Sequence, residues 1–90
     1  MRKATSALKR IAQMLQRTHD EKNLRELLED LLTPAELLDL NERVLIVQAL
    51  LDGKTQREVA KQLGVSIATV SRGSQVIQYG NGALTKLVAE

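Results

Sequence analysis

The stretch from Thr33 to Gly53 constrains the fold more than any other part of this 90-residue chain. It opens with "TPAE", in which the threonine can cap a helix, the proline suits the first helical position and the glutamate completes a capping box. Between this start and Gly53, a residue type that commonly ends helices, apolar side chains occur on almost every side of the predicted helix. Such a helix must be covered on several sides, and so short a chain has little material to do that. The sequence therefore predicts a homodimer in which a second chain helps to cover this helix.

The composition favours helix packing and argues against several classes of site. Tyr79 is the only aromatic residue, so leucine, valine, isoleucine and alanine must build the interior. Cysteine is absent and His19 is the only histidine, which excludes disulfides and thiolate metal sites and leaves no Cys/His catalytic set. No apolar run approaches the roughly 18 residues of a membrane helix, and the N-terminal segment lacks the apolar core of a signal peptide. We expect a cytoplasmic protein that is not an enzyme, binds no metal and does not enter a membrane.

Charge is distributed unevenly along the chain. Residues 1–17 carry five Lys/Arg and no acid, residues 18–52 carry nine Asp/Glu against three Lys/Arg, and residues 53–90 carry five Lys/Arg against two acids. A polyanion would be attracted to the two basic ends and repelled by the acidic middle. Solvated charged faces are common, so this pattern suggests a nucleic-acid partner without identifying one.

Hydrophobic periodicity predicts an all-α fold of four to six helices in a single domain spanning residues 1–90. The first helix is expected over about residues 5–17, with an apolar stripe at Leu8, Ile11, Ala12 and Leu15. Residues 1–52 would form the dimerisation helices, residues 55–78 a helix-turn-helix, and residues 81–90 a short C-terminal helix.

The spacing from residue 56 onward is that of a helix-turn-helix. A second capping box, "TQRE", predicts a helix over residues 56–63, and Gly64 supplies the left-handed turn that follows. Ser66 caps a further helix over residues 67–78. Two helices joined by a short turn with Gly are typical of the motif whose second helix enters the DNA major groove. The residues expected to face inward are Val59, Ala60, Leu63, Ile67, Val70 and Ile77.

The outward face of the second helix carries small and hydroxyl side chains together with Arg72. Small residues near a helix N-terminus let the backbone approach base edges, and hydroxyl groups can bond to bases or phosphates. Gln56 and Arg57 begin the preceding helix, where backbone N–H groups favour a phosphate. These features indicate double-stranded DNA as the partner. A plain helical hairpin, or a helical adaptor that binds protein, is the alternative interpretation.

From about Leu31 to Gln78 the chain resembles the Trp repressor family. The resemblance is carried by "LLTPAE", "TQRE" and above all "IATVSRGS". It implies an all-α, intertwined homodimer whose helix-turn-helix heads contact successive major grooves of a palindromic operator. It also implies a corepressor, L-tryptophan or a similar aromatic amino acid, that sets the spacing of the heads. On this basis we expect a ligand-gated, sequence-specific transcriptional repressor.

The resemblance further implies a ligand site. Arg43 and Arg72 would lie on either face of the ligand's ring, with Arg72 holding the carboxylate, and Gly73 would leave room for the ring. Leu32 and Thr33 from the other subunit would receive the ammonium. Each arginine has another interpretation, since Arg43 can pair with an acidic residue four positions earlier and Arg72 can bind phosphate. The expected ligand-binding residues are Leu32, Thr33, Arg43, Arg72, Gly73 and Val76.

The DNA-binding residues are implied in the same way. They are Gln56, Arg57, Ser66, Ile67, Ala68, Thr69, Ser71 and Arg72. Two departures from the family pattern favour another function. Val76 stands where the family has a serine that can hydrogen-bond the ligand's ammonium, and Asp30 stands where an apolar pocket residue is usual. A ligand-independent DNA-binding regulator of the same fold is therefore the second interpretation.

Overall fold

The computed structural model describes residues 2–90, which form six α-helices and, within that range, no strand. The chain divides into two compact units, the first ending at Glu36 and the second beginning at Leu37. The prediction of an all-α fold is confirmed. The helices are α1 (Arg2–Gln16), α2 (Glu21–Leu31), α3 (Pro34–Leu51), α4 (Gln56–Leu63), α5 (Ile67–Tyr79) and α6 (Ala83–Ala89).

The first unit consists of α1, α2 and the start of α3. Asp20 caps α2, and its carboxylate accepts a hydrogen bond of 2.8 Å from the backbone N–H of Asn23. The predicted apolar stripe of α1 is not covered within the chain, because Leu8 is 71% exposed and Ile11 is also exposed. No residue of this unit whose burial the structure describes is fully buried. The unit therefore presents apolar surface that it does not bury by itself.

Capping boxes begin both α3 and α4, as the sequence predicted. The backbone N–H of Thr33 donates to Glu36 Oε1 at 2.9 Å, and the N–H of Glu36 donates to the Thr33 hydroxyl at 3.1 Å. Thr55 and Glu58 make the same two bonds at 2.9 and 3.1 Å. Because these bonds favour the ionised carboxylate, the backbone N–H of Thr33 lowers the pKa of Glu36 and that of Thr55 lowers the pKa of Glu58.

Glycines in the left-handed conformation end α3 and α4. Gly53 follows α3 with a φ of 94°, and Gly64 follows α4 with a φ of 68°. At the second of these ends the backbone N–H of Val65 donates to the carbonyl of Ala60 at 3.0 Å. Glycine adopts this conformation without the steric cost that other residues meet. The turn between α4 and α5 is therefore short and defined, which fixes how the two helices cross.

The core of the second unit lies where α3, α4 and α5 meet. Ile46 of α3, Val59 and Ala60 of α4 and Val70 of α5 form one buried cluster. The inward orientation predicted for Val59, Ala60 and Val70 is confirmed. Partly buried side chains surround the cluster, namely Ala49, Leu50, Leu63 and Val65.

The predicted burial of Ile67 is wrong. Its side chain is 50% exposed, whereas Val70 three residues later is fully buried. Ile67 is the first residue of α5, so it lies outside the part of the helix that packs on the core, which is centred on Val70 and Gly73. Its exposure leaves it available to a partner at the N-terminus of α5.

A glycine on α5 allows that helix to pack closely on α3. Gly73 is buried, and a Cβ atom added to it would overlap Cγ2 of Ile46. Ile46 is β-branched and fully buried, so its side chain has little freedom to move aside. The close approach of α5 to α3 therefore requires glycine at position 73.

Most of the large apolar side chains of α3 remain partly exposed in the chain by itself. Only Ile46 and Val47 are buried on this helix, and Leu38 is 67% exposed. This is the outcome that the nearly all-round apolar pattern predicted for one chain alone. The other exposed apolar residues of α3 are Leu37, Leu40, Val44, Leu45 and Leu51.

We predict that Gly73→Ala lowers the free energy of unfolding by about 1–3 kcal/mol, because the added methyl group overpacks the contact with Ile46. The loss should appear although alanine favours helix more than glycine by about 1 kcal/mol. Chemical denaturation at a fixed protein concentration measures the change. Gln75→Ala, an exposed substitution on α5, is the control and should stay within about 0.5 kcal/mol of the wild type. A Gly73→Ala protein as stable as that control would contradict the close contact.

We also predict that the capping boxes make stability sensitive to acid. A carboxylate whose pKa is lowered in the folded protein stabilises it fully above the ordinary carboxyl pKa, and this contribution is lost as pH falls through the lowered value. The double substitution Glu36→Gln and Glu58→Gln keeps an oxygen acceptor but cannot titrate. Between pH 7 and about pH 3 it should therefore lose less of its free energy of unfolding than the wild type.

The control for this experiment is the double substitution Glu26→Gln and Glu29→Gln. These two carboxylates of α2 are exposed and belong to no capping box. This control should keep the wild-type dependence on pH. If the capping-box variant does the same, the capping boxes do not carry the acid sensitivity.

Candidate nucleic-acid interface and ligand cavity

The N-terminus of α5 is organised by two hydroxyl groups. The Ser66 hydroxyl accepts a hydrogen bond of 3.1 Å from the backbone N–H of Thr69, which makes Ser66 the N-cap that the sequence predicted. The two side-chain oxygens of Ser66 and Thr69 lie 2.9 Å apart and share a further hydrogen bond. Because only one hydroxyl hydrogen is used between them, the pair keeps a donor and acceptor positions for an outside partner.

The predicted DNA-binding residues occupy the start of α4 and the first two turns of α5. Thr69 and Ser71 are half-buried, so they offer only part of their surface. The remaining side chains are exposed: Gln56, Arg57, Ser66, Ile67, Ala68 and Arg72. The structure thus gives a surface of small, hydroxyl and cationic side chains at a helix N-terminus, a surface that suits phosphates and base edges.

Sequence reasoning missed a second cation on α4. Lys61 lies four residues after Arg57 and is exposed, so the two side chains project from the same face of the helix. Lys54, just before α4, donates from Nζ to Gln62 Oε1 at 2.6 Å, which holds this third cation near the end of the same helix. The i, i+4 spacing of Arg57 and Lys61 in the sequence could have identified this pair of cations.

A cavity of about 230 Å³ lies between one face of α3 and one face of α5. The later members of the α3 face lie three, four and seven residues after its first member, as expected for one side of a helix. The α5 face follows the same spacing. The lining residues are Asp39, Glu42, Arg43 and Ile46 from α3, and Thr69, Arg72 and Gly73 from α5.

The structure brings Arg43, Arg72 and Gly73 together at this cavity. Gly73 has a role that the sequence did not predict, because the space beside its Cα is filled by Ile46 and the glycine serves the helix contact. Val76 is half-buried and does not line the cavity. The remaining two expected ligand residues, Leu32 and Thr33, belong to the first unit, where Thr33 caps α3.

Acidic residues line the cavity beside the arginines. Asp39 and Glu42 were not among the expected ligand residues. Their spacing from Arg43 and Ile46 places them on the same face of α3, and this spacing could have identified them. The expected alternative, in which Arg43 pairs with Asp39, is not found: among the described residues a salt bridge joins Arg25 to Glu21 at 3.7 Å, and none joins Arg43 to Asp39. Charges of both signs therefore face one cavity without neutralising each other in a salt bridge.

The part of the chain that the structure describes contains neither a cluster of metal ligands nor a membrane-spanning helix. No group of three or more metal-ligating side chains comes together among residues 2–90. Over the same range, none of the helices has both the length and the apolar character needed to cross a membrane.

The chain is similar to known proteins in sequence and in structure. Residues 6–90 match the family described as Trp repressor protein. A Trp operon repressor homologue from Xylella fastidiosa is 37% identical over 76 residues, which cover 83% of each chain. Another from Chlamydia trachomatis is 44% identical over 59 residues, 64% of this chain and 63% of its own length.

The fold is similar to that of a proposed Trp repressor from Staphylococcus aureus, whose crystal structure superposes with a TM-score of 0.80. The sequences are 25% identical, and the match covers 93% of this chain and 84% of that one. With a family match over residues 6–90, a sequence relative that is 37% identical over 83% of both chains and a solved structure of similar fold, the chain belongs to the Trp repressor family and is a DNA-binding transcription regulator, not an enzyme.

Proposed function

We propose that the chain acts in the cytoplasm as a homodimeric, sequence-specific repressor whose corepressor is L-tryptophan or a similar aromatic amino acid. The observation that carries the proposal is the cavity between α3 and α5, because Arg72 belongs both to its wall and to the outward face of the recognition helix. A ligand held there touches the element that reads DNA.

The lining chemistry suits an aromatic amino acid. Guanidinium groups stack on aromatic rings and pair with carboxylates, so Arg43 and Arg72 can hold both ends of such a ligand. Ile46 and Gly73 provide the apolar part of the wall. A volume of about 230 Å³ lies just below the usual range of small-molecule sites, which fits an amino acid better than a larger cofactor.

Gating follows from where the ligand would bind. A palindromic operator presents two half-sites one helical turn apart, about 34–36 Å, so both recognition helices must be held at that separation. A ligand promotes DNA binding only if it binds that arrangement more tightly than the others. Contacts to Arg72 and Thr69 on α5 and to Arg43 on α3 would supply this difference, since they fix α5 relative to α3.

The uncovered apolar surface supports the homodimer. Large apolar side chains remain exposed on α1 and α3, among them Leu8 and Leu38. So many exposed large apolar side chains favour association, and a second copy that packs on them would complete the core.

One feature favours a second candidate, a regulator of the same fold that binds DNA without a ligand. Val76 is apolar and does not line the cavity, so it provides no hydrogen bond to a ligand's ammonium. The two functions predict different results when DNA affinity is measured with and without the amino acid. A ligand-gated repressor binds DNA more tightly when the amino acid is present, whereas the alternative binds equally with and without it.

We predict a particle of twice the 10.0 kDa chain mass in solution. Sedimentation equilibrium over a range of concentrations measures this mass directly. Leu38→Glu places a charge on the exposed apolar surface of α3 and should weaken association, while Lys86→Gln on α6 should leave it unchanged. A chain that stays monomeric up to high micromolar concentrations would contradict the homodimer.

We predict that Arg72→Ala weakens both ligand and DNA binding, whereas Arg43→Ala weakens ligand binding alone. The loss of DNA affinity for Arg72→Ala should be roughly tenfold, as for one good contact to a base or phosphate. Calorimetry with L-tryptophan and other aromatic amino acids measures ligand affinity. Binding to a duplex selected from a random pool measures DNA affinity, with and without ligand, at several salt concentrations.

Lys86→Ala, which removes a cation from α6, is the control and should change neither affinity. Equal loss of ligand-free DNA affinity in both arginine variants would refute the division of roles. Flat calorimetric titrations with every aromatic amino acid would remove the corepressor from the proposal.

A further inference from the structure

We propose that Glu42, assisted by Asp39, receives the ammonium group of the amino-acid ligand from within the same chain, beside the contact that the resemblance implies for Leu32 and Thr33 of the other subunit. The cavity would then select zwitterions over aromatic acids and amines. The inference rests on the proposed function, since it concerns the same cavity. It adds Glu42 and Asp39 to the ligand-binding residues, and it adds a preference for zwitterions that the two arginines alone would not produce.

The first support is the placement of the acids. Asp39, Glu42, Arg43 and Ile46 fall on one face of α3, and all four line the cavity. Glu42 is half-buried while Asp39 is exposed, so Glu42 is the more shielded from solvent and interacts more strongly with a charge inside the cavity. We therefore assign the larger part to Glu42.

The second support is the balance of charge. Two guanidinium groups and two carboxylates face one cavity, and none of them is joined to another by a salt bridge in the described chain. A ligand that carries only a carboxylate would satisfy an arginine but bring a third negative charge beside Glu42 and Asp39. A zwitterion supplies one charge of each sign and matches both halves of the lining.

The third support is the chemistry of the opposite wall. The α5 side of the cavity contributes Thr69, Arg72 and Gly73, of which only Thr69 has a neutral polar side chain. Its hydroxyl already bonds to that of Ser66 at 2.9 Å. Val76, one turn further on α5, has no polar atom to offer. Within this chain the carboxylates of α3 are thus the strongest acceptors available to an ammonium group.

The test compares L-tryptophan with two analogues that each lack one charged group: indole-3-propionate has no ammonium and tryptamine has no carboxylate. Calorimetry measures the three affinities for the wild-type protein, for Glu42→Gln and for Asp39→Asn. Asp52→Asn is the matched control, because Asp52 is an exposed acid ten residues further along, about 15 Å from Glu42 by helical rise.

We expect the wild type to bind L-tryptophan about tenfold or more tightly than indole-3-propionate, as the loss of a charge-assisted hydrogen bond implies. In Glu42→Gln this ratio should fall toward one, with a smaller fall in Asp39→Asn and none in Asp52→Asn. Because the readout is a ratio of two ligands on one protein, a general loss of affinity or stability does not imitate it.

If L-tryptophan binds but the ratio is the same in Glu42→Gln and in the wild type, the role of Glu42 is wrong while the proposed corepressor stands. If the wild type binds either indole-3-propionate or tryptamine as tightly as L-tryptophan, selection of zwitterions is wrong. If none of the three compounds binds the wild type, the inference is overturned together with the tryptophan form of the proposed function.

Discussion

The contact between Gly73 and Ile46 sets how closely α5 packs on α3 in the second unit. It brings α5 against α3 closely enough that a single added methyl group would collide, and the buried cluster of Ile46, Val59 and Val70 lies beside it. The cavity with the charged lining lies between the same two helices, and both Ile46 and Gly73 line it. One close packing contact thus supports both the orientation of α5 and the cavity next to it.

In the proposed function α5 serves two partners, and its residues are divided between its faces. Val70 and Gly73 pack inward, while Ser66 and Ala68 face outward near the N-terminus. Arg72 lies at the boundary, exposed to solvent and lining the cavity at the same time. A ligand that engages Arg72 would therefore act on the DNA-reading face without any long path of coupled residues.

Local sequence features predicted the helices well because their causes are local. The capping boxes at Thr33 and Thr55 and the glycines at positions 53 and 64 lie where hydrogen bonds within a few residues decide the structure. Periodicity also gave the inward faces of Val59 and Val70. Periodicity failed at Ile67, the first residue of α5. Whether the first turn of a helix is buried depends on which other elements pack against it, and the spacing of residues along the sequence does not show this.

The candidate site was only partly predictable for the same reason. The resemblance to the family gave Arg43 and Arg72, and the structure places both at the cavity. It did not give Asp39 or Glu42, because these acids follow from this chain's own α3 face and from the way α5 packs on it. The contact that Gly73 makes with Ile46 was likewise hidden, since a glycine in a helix shows its purpose only when the opposing side chain is known.

Nuclear magnetic resonance of the isotope-labelled protein tests the central claim, that one face of α5 reads DNA while the other forms a ligand cavity with α3. Duplex DNA should shift the backbone amides over residues 66–72 most strongly. L-tryptophan should shift the Gly73 amide and the Ile46 methyl groups. Ligand shifts confined to α2 or α6, or DNA shifts that spare the start of α5, would contradict the account.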